Sequence, residues 1–150
     1  MHDRTLGRSL RGALGIATTV AALGCGPSPI TSARIDHAIA PTFANLVHLQ
    51  LSRLGLSSMA ASDIKVTANC RKAAGSGDWG AGDWVCTLVW QRPNRQTLRD
   101  TYDLSVTTDG CYTATVDSAE GHLGGPILKA FDGSDVRNLL YPFEGCFDTT

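Results

Sequence analysis

The chain has 150 residues, 43% of them hydrophobic and 18% charged, with a formal net charge of -1. That length favours one domain, and the balance is too apolar for a disordered chain and too polar for a helical membrane bundle. Arg4, Arg8 and Arg11 precede residue 25 with only Asp3 against them, which leaves 10 Lys and Arg facing 13 Asp and Glu from Cys25 onward. Such a body has no basic excess with which to hold nucleic acid or an anionic lipid surface.

Residues 1–12 are polar and basic, and residues 13–24 carry no charge. This is the order of a secretory signal peptide, expected here over residues 1–24. As a helix the uncharged run would span about 18 Å, against a hydrocarbon core of roughly 30 Å, so it is too short for a comfortable permanent span. The cut site, Ala22-Leu23-Gly24-Cys25, resembles the lipobox of bacterial lipoproteins, although Ala22 stands where Leu is commoner. The resemblance implies a thioether-linked diacylglycerol on Cys25, and two acyl chains suffice for stable anchoring. Residues 25–32, which include Gly26-Pro27-Ser28-Pro29, then read as the lipidated Cys and an extended tether. The alternative is a secreted protein with a free or paired Cys25. The expected address is therefore extracytoplasmic, with the membrane as partner through the anchor.

Residues 33–150 read as one domain. Ser32 can cap a helix in which Ile35, Ile39, Phe43, Leu46, Val47 and Leu54 share one stripe, the mark of a helix lying on a core. Gly55 suits the position just past its end. Pro41 predicts a break near residue 40 and a firm helix over 41–54. Period-two alternation then predicts strands at 64–70, 84–91, 100–107 and 111–117. A three-residue turn, Thr108-Asp109-Gly110, sets Val106 opposite Tyr112, Leu104 opposite Ala114 and Tyr102 opposite Val116. A two-residue turn would set apolar residues against Thr113 and Thr115. The expectation is an α+β fold: one N-terminal helix packed on a four-stranded antiparallel meander, an order similar to the cystatin-like roll. The tail, 118–150, reads as irregular, with one helical turn over 135–140 and Val136, Leu139 and Leu140 inward.

With Cys25 assigned to lipid, four cysteines remain, and four allow three pairings. Cys70 ends the first strand and Cys86 lies near the start of the second, so these two would face each other. Cys111 with Cys146 would then pin the tail to the sheet. In the chain-entropy account the bridges contribute roughly 3 and 4 kcal/mol. The ending Asp109-Gly110-Cys111-Tyr112-Thr113-Ala114 and Phe143-Glu144-Gly145-Cys146-Phe147-Asp148-Thr149 is similar to uncharacterised small lipoproteins of actinobacterial cell envelopes. That resemblance implies a single structural unit around Cys111 and Cys146 and no known activity.

The local anomaly is Gly77-Asp78-Trp79-Gly80-Ala81-Gly82-Asp83-Trp84, in a long strand connection over 71–83 of the sort that is often functional. An exposed Trp79 beside Asp78 and Asp83 would stack on a sugar face while the carboxylates accept from hydroxyls, making envelope glycan the expected ligand class. The plainer alternative has Trp84 in the core and Trp79 folded back on the sheet. Two Asp fall short of a calcium site, and a Gly-rich loop does not supply the burial a general acid needs. No C-x-x-C, P-loop, dinucleotide fingerprint or nucleophile motif occurs, so no metal, cofactor or catalytic residue is expected. His37 and His48 fall opposite the apolar stripe and read as surface residues; His122 reads as a loop residue. The expectation is a non-enzymatic binding or accessory module working on an envelope glycan or another envelope protein. The alternatives are a secreted inhibitor or accessory subunit acting through the 71–83 hairpin tip, or a hydrolase with dispersed residues.

Overall fold

The computed structural model describes residues 29–56, 59–73, 79–92, 94–116 and 123–149. The signal segment, Cys25, Asp78 and His122 lie outside the described residues. The helix, α1 (Ser32–Arg53), is capped by Thr31, one residue earlier than expected: its hydroxyl accepts from the Arg34 N–H at 3.4 Å. Its far end is a Schellman turn. Gly55 at φ 72° donates to the Ser52 carbonyl, and Leu56 reaches back to that of Leu51 at 3.0 Å, so two orphan carbonyls are satisfied.

The break expected at Pro41 does not occur; α1 runs through it. Proline removes one helical donor and leaves the His37 carbonyl without its partner. Both residues are exposed, so that carbonyl belongs to the solvent-facing side of α1. Meanwhile Ile39, Phe43 and Ala44, all buried, hold the turns on either side against the sheet. Thr42 adds a side-chain bond to the Ala38 carbonyl at 2.9 Å.

After a 3-10 turn (Ala61–Asp63) come β1 (Val66–Lys72), β2 (Gly82–Gln91), β3 (Thr97–Val106) and β4 (Cys111–Val116). They pair as an antiparallel meander. The β3–β4 register joins Val106 to Tyr112, Leu104 to Ala114 and Tyr102 to Val116, the pairing the apolar match requires. Gly110 closes that turn at φ 83°. The β1 strand lies two residues later than expected, because the 3-10 turn draws in Ile64, which is buried.

The tail departs from expectation. It is not irregular: β5 (Ile127–Lys129) and β6 (Asp135–Arg137) form a hairpin, and β7 (Phe143–Cys146) pairs with β4. The main sheet therefore has five strands, ordered β1-β2-β3-β4-β7, in place of the expected four. Residues 135–137 are strand where a helical turn was expected. The hairpin turn explains why: Asp132 accepts from the Ser134 N–H at 2.9 Å, and Gly133 takes φ 85°, so the chain reverses and pairs.

One face of the sheet is the core. Phe43 sits at its centre, edge-on to Trp90 (5.6 Å between centroids) and Tyr102 (6.0 Å), with Phe143 at 6.2 Å. Trp84, Cys86 and Leu88 of β2 and Leu104 of β3 are buried on the same side. Both expected bridges form, Cys70–Cys86 and Cys111–Cys146, each between directly paired residues. They differ in setting. Cys70 and Cys86 are buried. Cys111 is half-buried and Cys146 exposed, because Tyr112 and Gly145 take the inward positions of that pair. Among the described residues no helix is long and apolar enough to cross a membrane.

Candidate functional sites

The strands lengthen toward the tip and shorten the expected 71–83 connection to residues 73–81. Trp79 is 69% exposed; it does not fold back on the sheet. Its backbone is nevertheless held. Trp79 forms an isolated antiparallel bridge with Thr31, and the Gly80 N–H donates to the Ile30 carbonyl at 2.8 Å. The Lys72 ammonium donates to the carbonyls of Trp79 at 3.2 Å, of Gly80 at 2.7 Å and of Ala81. The same ammonium lies 5.2 Å from the centroid of the Trp84 ring, a cation–π contact. Trp84 Nε1 also donates to the Gly80 carbonyl at 3.2 Å. Gly80 and Gly82 sit at φ 90° and 114°, which lets the chain turn back under the ammonium. Ile30 is buried, so Ile30 and Thr31, read as tether from the sequence, belong to the folded unit.

Asp83 opens onto a different surface. It is exposed on β2 opposite Ser105, and it lines a shallow groove with Asp103, Ser105, Thr113 and Thr115 on the outer face of the sheet. Trp79 is not among the residues lining that groove. The tip thus offers an aromatic face, and the carboxylate belongs to the neighbouring sheet surface. His37 is exposed, as expected. His48 is half-buried, and its Nδ1 donates to the Met59 carbonyl at 2.6 Å; the carbonyl only accepts, so the ring is protonated on Nδ1. His48 fastens the helix-to-strand connection and is not a solvated surface residue. No group of three or more His, Cys, Asp or Glu that could hold a metal ion occurs among the described residues.

A second site was not foreseen. Between the C-terminal half of α1, the end of β2 and the β5–β6 hairpin lies a cleft of about 460 Å³. Its walls include Leu51, Leu54, Trp90, Leu123, Leu128 and Leu140, and its polar lining is Gln50, Asn138, Arg92 and Asn94. Asn138 is fully buried and fully used. Its amide donates to the Leu123 carbonyl at 2.8 Å and the Gly125 carbonyl at 3.0 Å, and its oxygen accepts from the Leu140 N–H at 3.0 Å. Gln50, 4% exposed, is half used. Its oxygen accepts from the Leu139 N–H at 2.7 Å, and its Nε2 has no partner among the described residues.

A third polar residue, Asp100, is buried on β3 and accepts from Trp90 Nε1 at 2.7 Å. Burial, and after it the Asp100 charge, pushes the Tyr102 phenol far up, and that hydroxyl donates to the Leu140 carbonyl at 3.0 Å. Gln50 and Asp100 did have a readable signal. Each is a polar residue in an inward position, Gln50 after Phe43 and Val47 on the helical stripe, Asp100 in the alternation with Tyr102 and Leu104.

The chain matches no protein-family model, no curated protein and no solved structure.

Proposed function

We propose that this is an exported cell-envelope protein, held to the membrane by lipid on Cys25, whose domain is a cystatin-like roll acting as a non-enzymatic binding or accessory module. The two disulfides support an oxidising compartment, since such bridges persist outside the cytoplasm. The observation that carries the binding reading is Trp79. A large apolar ring 69% exposed on a backbone held at Thr31, Ile30 and Lys72 is preorganised for a ligand, and preorganisation lowers the entropy cost of binding. Envelope glycan is the proposed ligand, stacked on the indole face. Asp83 would receive its hydroxyls only from a ligand long enough to reach the outer face of the sheet.

Mass measurement of the mature N-terminus tests the anchor: a diacylglyceryl-modified Cys25 is expected, and an unmodified Met1 overturns it. Titration with solubilised cell-wall glycan tests the tip. Trp79→Ala should weaken binding by about 10-fold, the order of one aromatic stacking contact; equal affinity for the variant and the parent rejects the glycan site.

The Thr31–Trp79 bridge favours a second reading. It sets the indole beside the point where the tether joins the domain. Tryptophan favours the membrane–water boundary, so Trp79 would rest on the bilayer that holds the anchor. A blue shift of Trp79 emission on phospholipid vesicles, with no response to glycan, would select this reading over the first.

A further inference from the structure

We propose that the cleft at the C-terminal end of α1 binds a long-chain fatty acid, with the chain along the leucine wall and a carboxyl oxygen accepting from Gln50 Nε2. Four observations lead there. The volume, about 460 Å³, lies in the range of ligand pockets. At roughly 30 Å³ for a water-sized group it corresponds to about 15 such groups, a chain of about 12–16 carbons. The lining is aliphatic apart from Trp90 and a few polar residues, so it favours a linear apolar chain over a sugar or a nucleotide.

The third observation is Gln50. Its orientation is settled by the Leu139 N–H, which needs an acceptor and takes Oε1. The NH₂ group is then left buried, without a partner among the described residues, on a side chain that lines the cleft, and a small shift of that lining brings it to a ligand oxygen. A buried donor without an acceptor costs about 1–3 kcal/mol, a cost that a ligand oxygen at this place removes. The fourth is charge. Among the described residues that line the cleft there is no Asp or Glu to hold a cationic head. Leu56, 49% exposed, extends the apolar lining outward. This site is separate from the Trp79 tip and does not depend on the reading given for it.

The test is calorimetric titration of the disulfide-bonded protein, stripped of bound lipid, with saturated fatty acids of 8 to 18 carbons and with dodecylamine. One-to-one binding is expected, tightest at 12–16 carbons and weaker by at least 10-fold for the amine. Gln50→Glu keeps the acceptor for Leu139 and removes the donor, so it should weaken fatty-acid binding by at least 10-fold at neutral pH. Leu128→Trp, on the half-buried hairpin wall, should fill the cleft and abolish binding. It decides the matter even if Gln50→Glu fails to fold. Non-saturable uptake, affinity that ignores chain length, or parental affinity in Leu128→Trp would overturn the proposal.

Discussion

Asp36 shows how one side chain can serve the fold at a cost. It sits on α1 and accepts from the backbone N–H of Cys70 on the edge strand β1 at 2.7 Å, covering a group that an edge would otherwise expose. Burial raises its carboxyl above the ordinary value, and the Cys70 bond only partly opposes this. A carboxyl raised in the folded state binds its proton more tightly there than in the unfolded chain. Its contribution to stability is therefore most favourable at low pH and declines as pH rises from 3.8 through the raised folded value. An amide at this place keeps the acceptor and loses the desolvated charge. Asp36→Asn should melt at or above the parent temperature at pH 7, whereas Asp36→Ala, which orphans the N–H, should lose about 1 kcal/mol. Thermal melts of the two variants at pH 7 and pH 4 check both signs; a gap between Asn and parent that fails to narrow at pH 4 would refute the linkage.

Elements were legible from the sequence where one face had a single apolar period. The helix stripe, the four meander strands and the β3–β4 register all followed from spacing, since a one-residue slip would have turned Leu104 and Tyr102 outward. Local rules misled where tertiary packing outweighed them. Pro41 should end a helix, yet burial of Ile39 and Phe43 on both sides carries α1 across it. Replacing it with Ala restores a donor for the His37 carbonyl, and Pro41→Ala should stabilise the fold by about 1–3 kcal/mol by denaturant melts. A loss of stability would mean that the proline is needed for the path of α1. The tail was illegible for a different reason. β5, β6 and β7 have three, three and four residues, too few for a period to show. Gly145 further hides β7, because its role is spatial: a Cβ there would overlap the ring and hydroxyl of Tyr112 on the paired strand. The cleft was missed with the tail, since about a third of its wall, Leu123, Leu128, Asn138 and Leu140, comes from the hairpin and its neighbours.

At the scale of the whole molecule the two bridges divide the labour. One lies between helix and sheet and the other on the outer face. In the chain-entropy account the loops they close are worth roughly 3 and 4 kcal/mol, against a total of about 5–15 kcal/mol for a domain of this size. Cys146 is exposed and Cys86 is fully buried, so access of reductant differs even where bond strength does not. Graded thiol treatment followed by alkylation and peptide mass mapping should label Cys111 and Cys146 first. Cys70 and Cys86 should be labelled only under unfolding conditions, and the melting temperature should fall in two stages. Simultaneous labelling of all four would show that the buried pair is not sheltered.

The single bridge between Thr31 and Trp79 also gives the molecule two poles. It ties the aromatic tip to the start of α1, while Gln50 stands near the other end, about 27 Å away by helical rise. A glycan or bilayer at one pole cannot crowd a ligand out of the other. For a chain fastened at residue 25, the tip would meet whatever lies at the anchoring surface, and the leucine-lined end would be held out to the space beyond it.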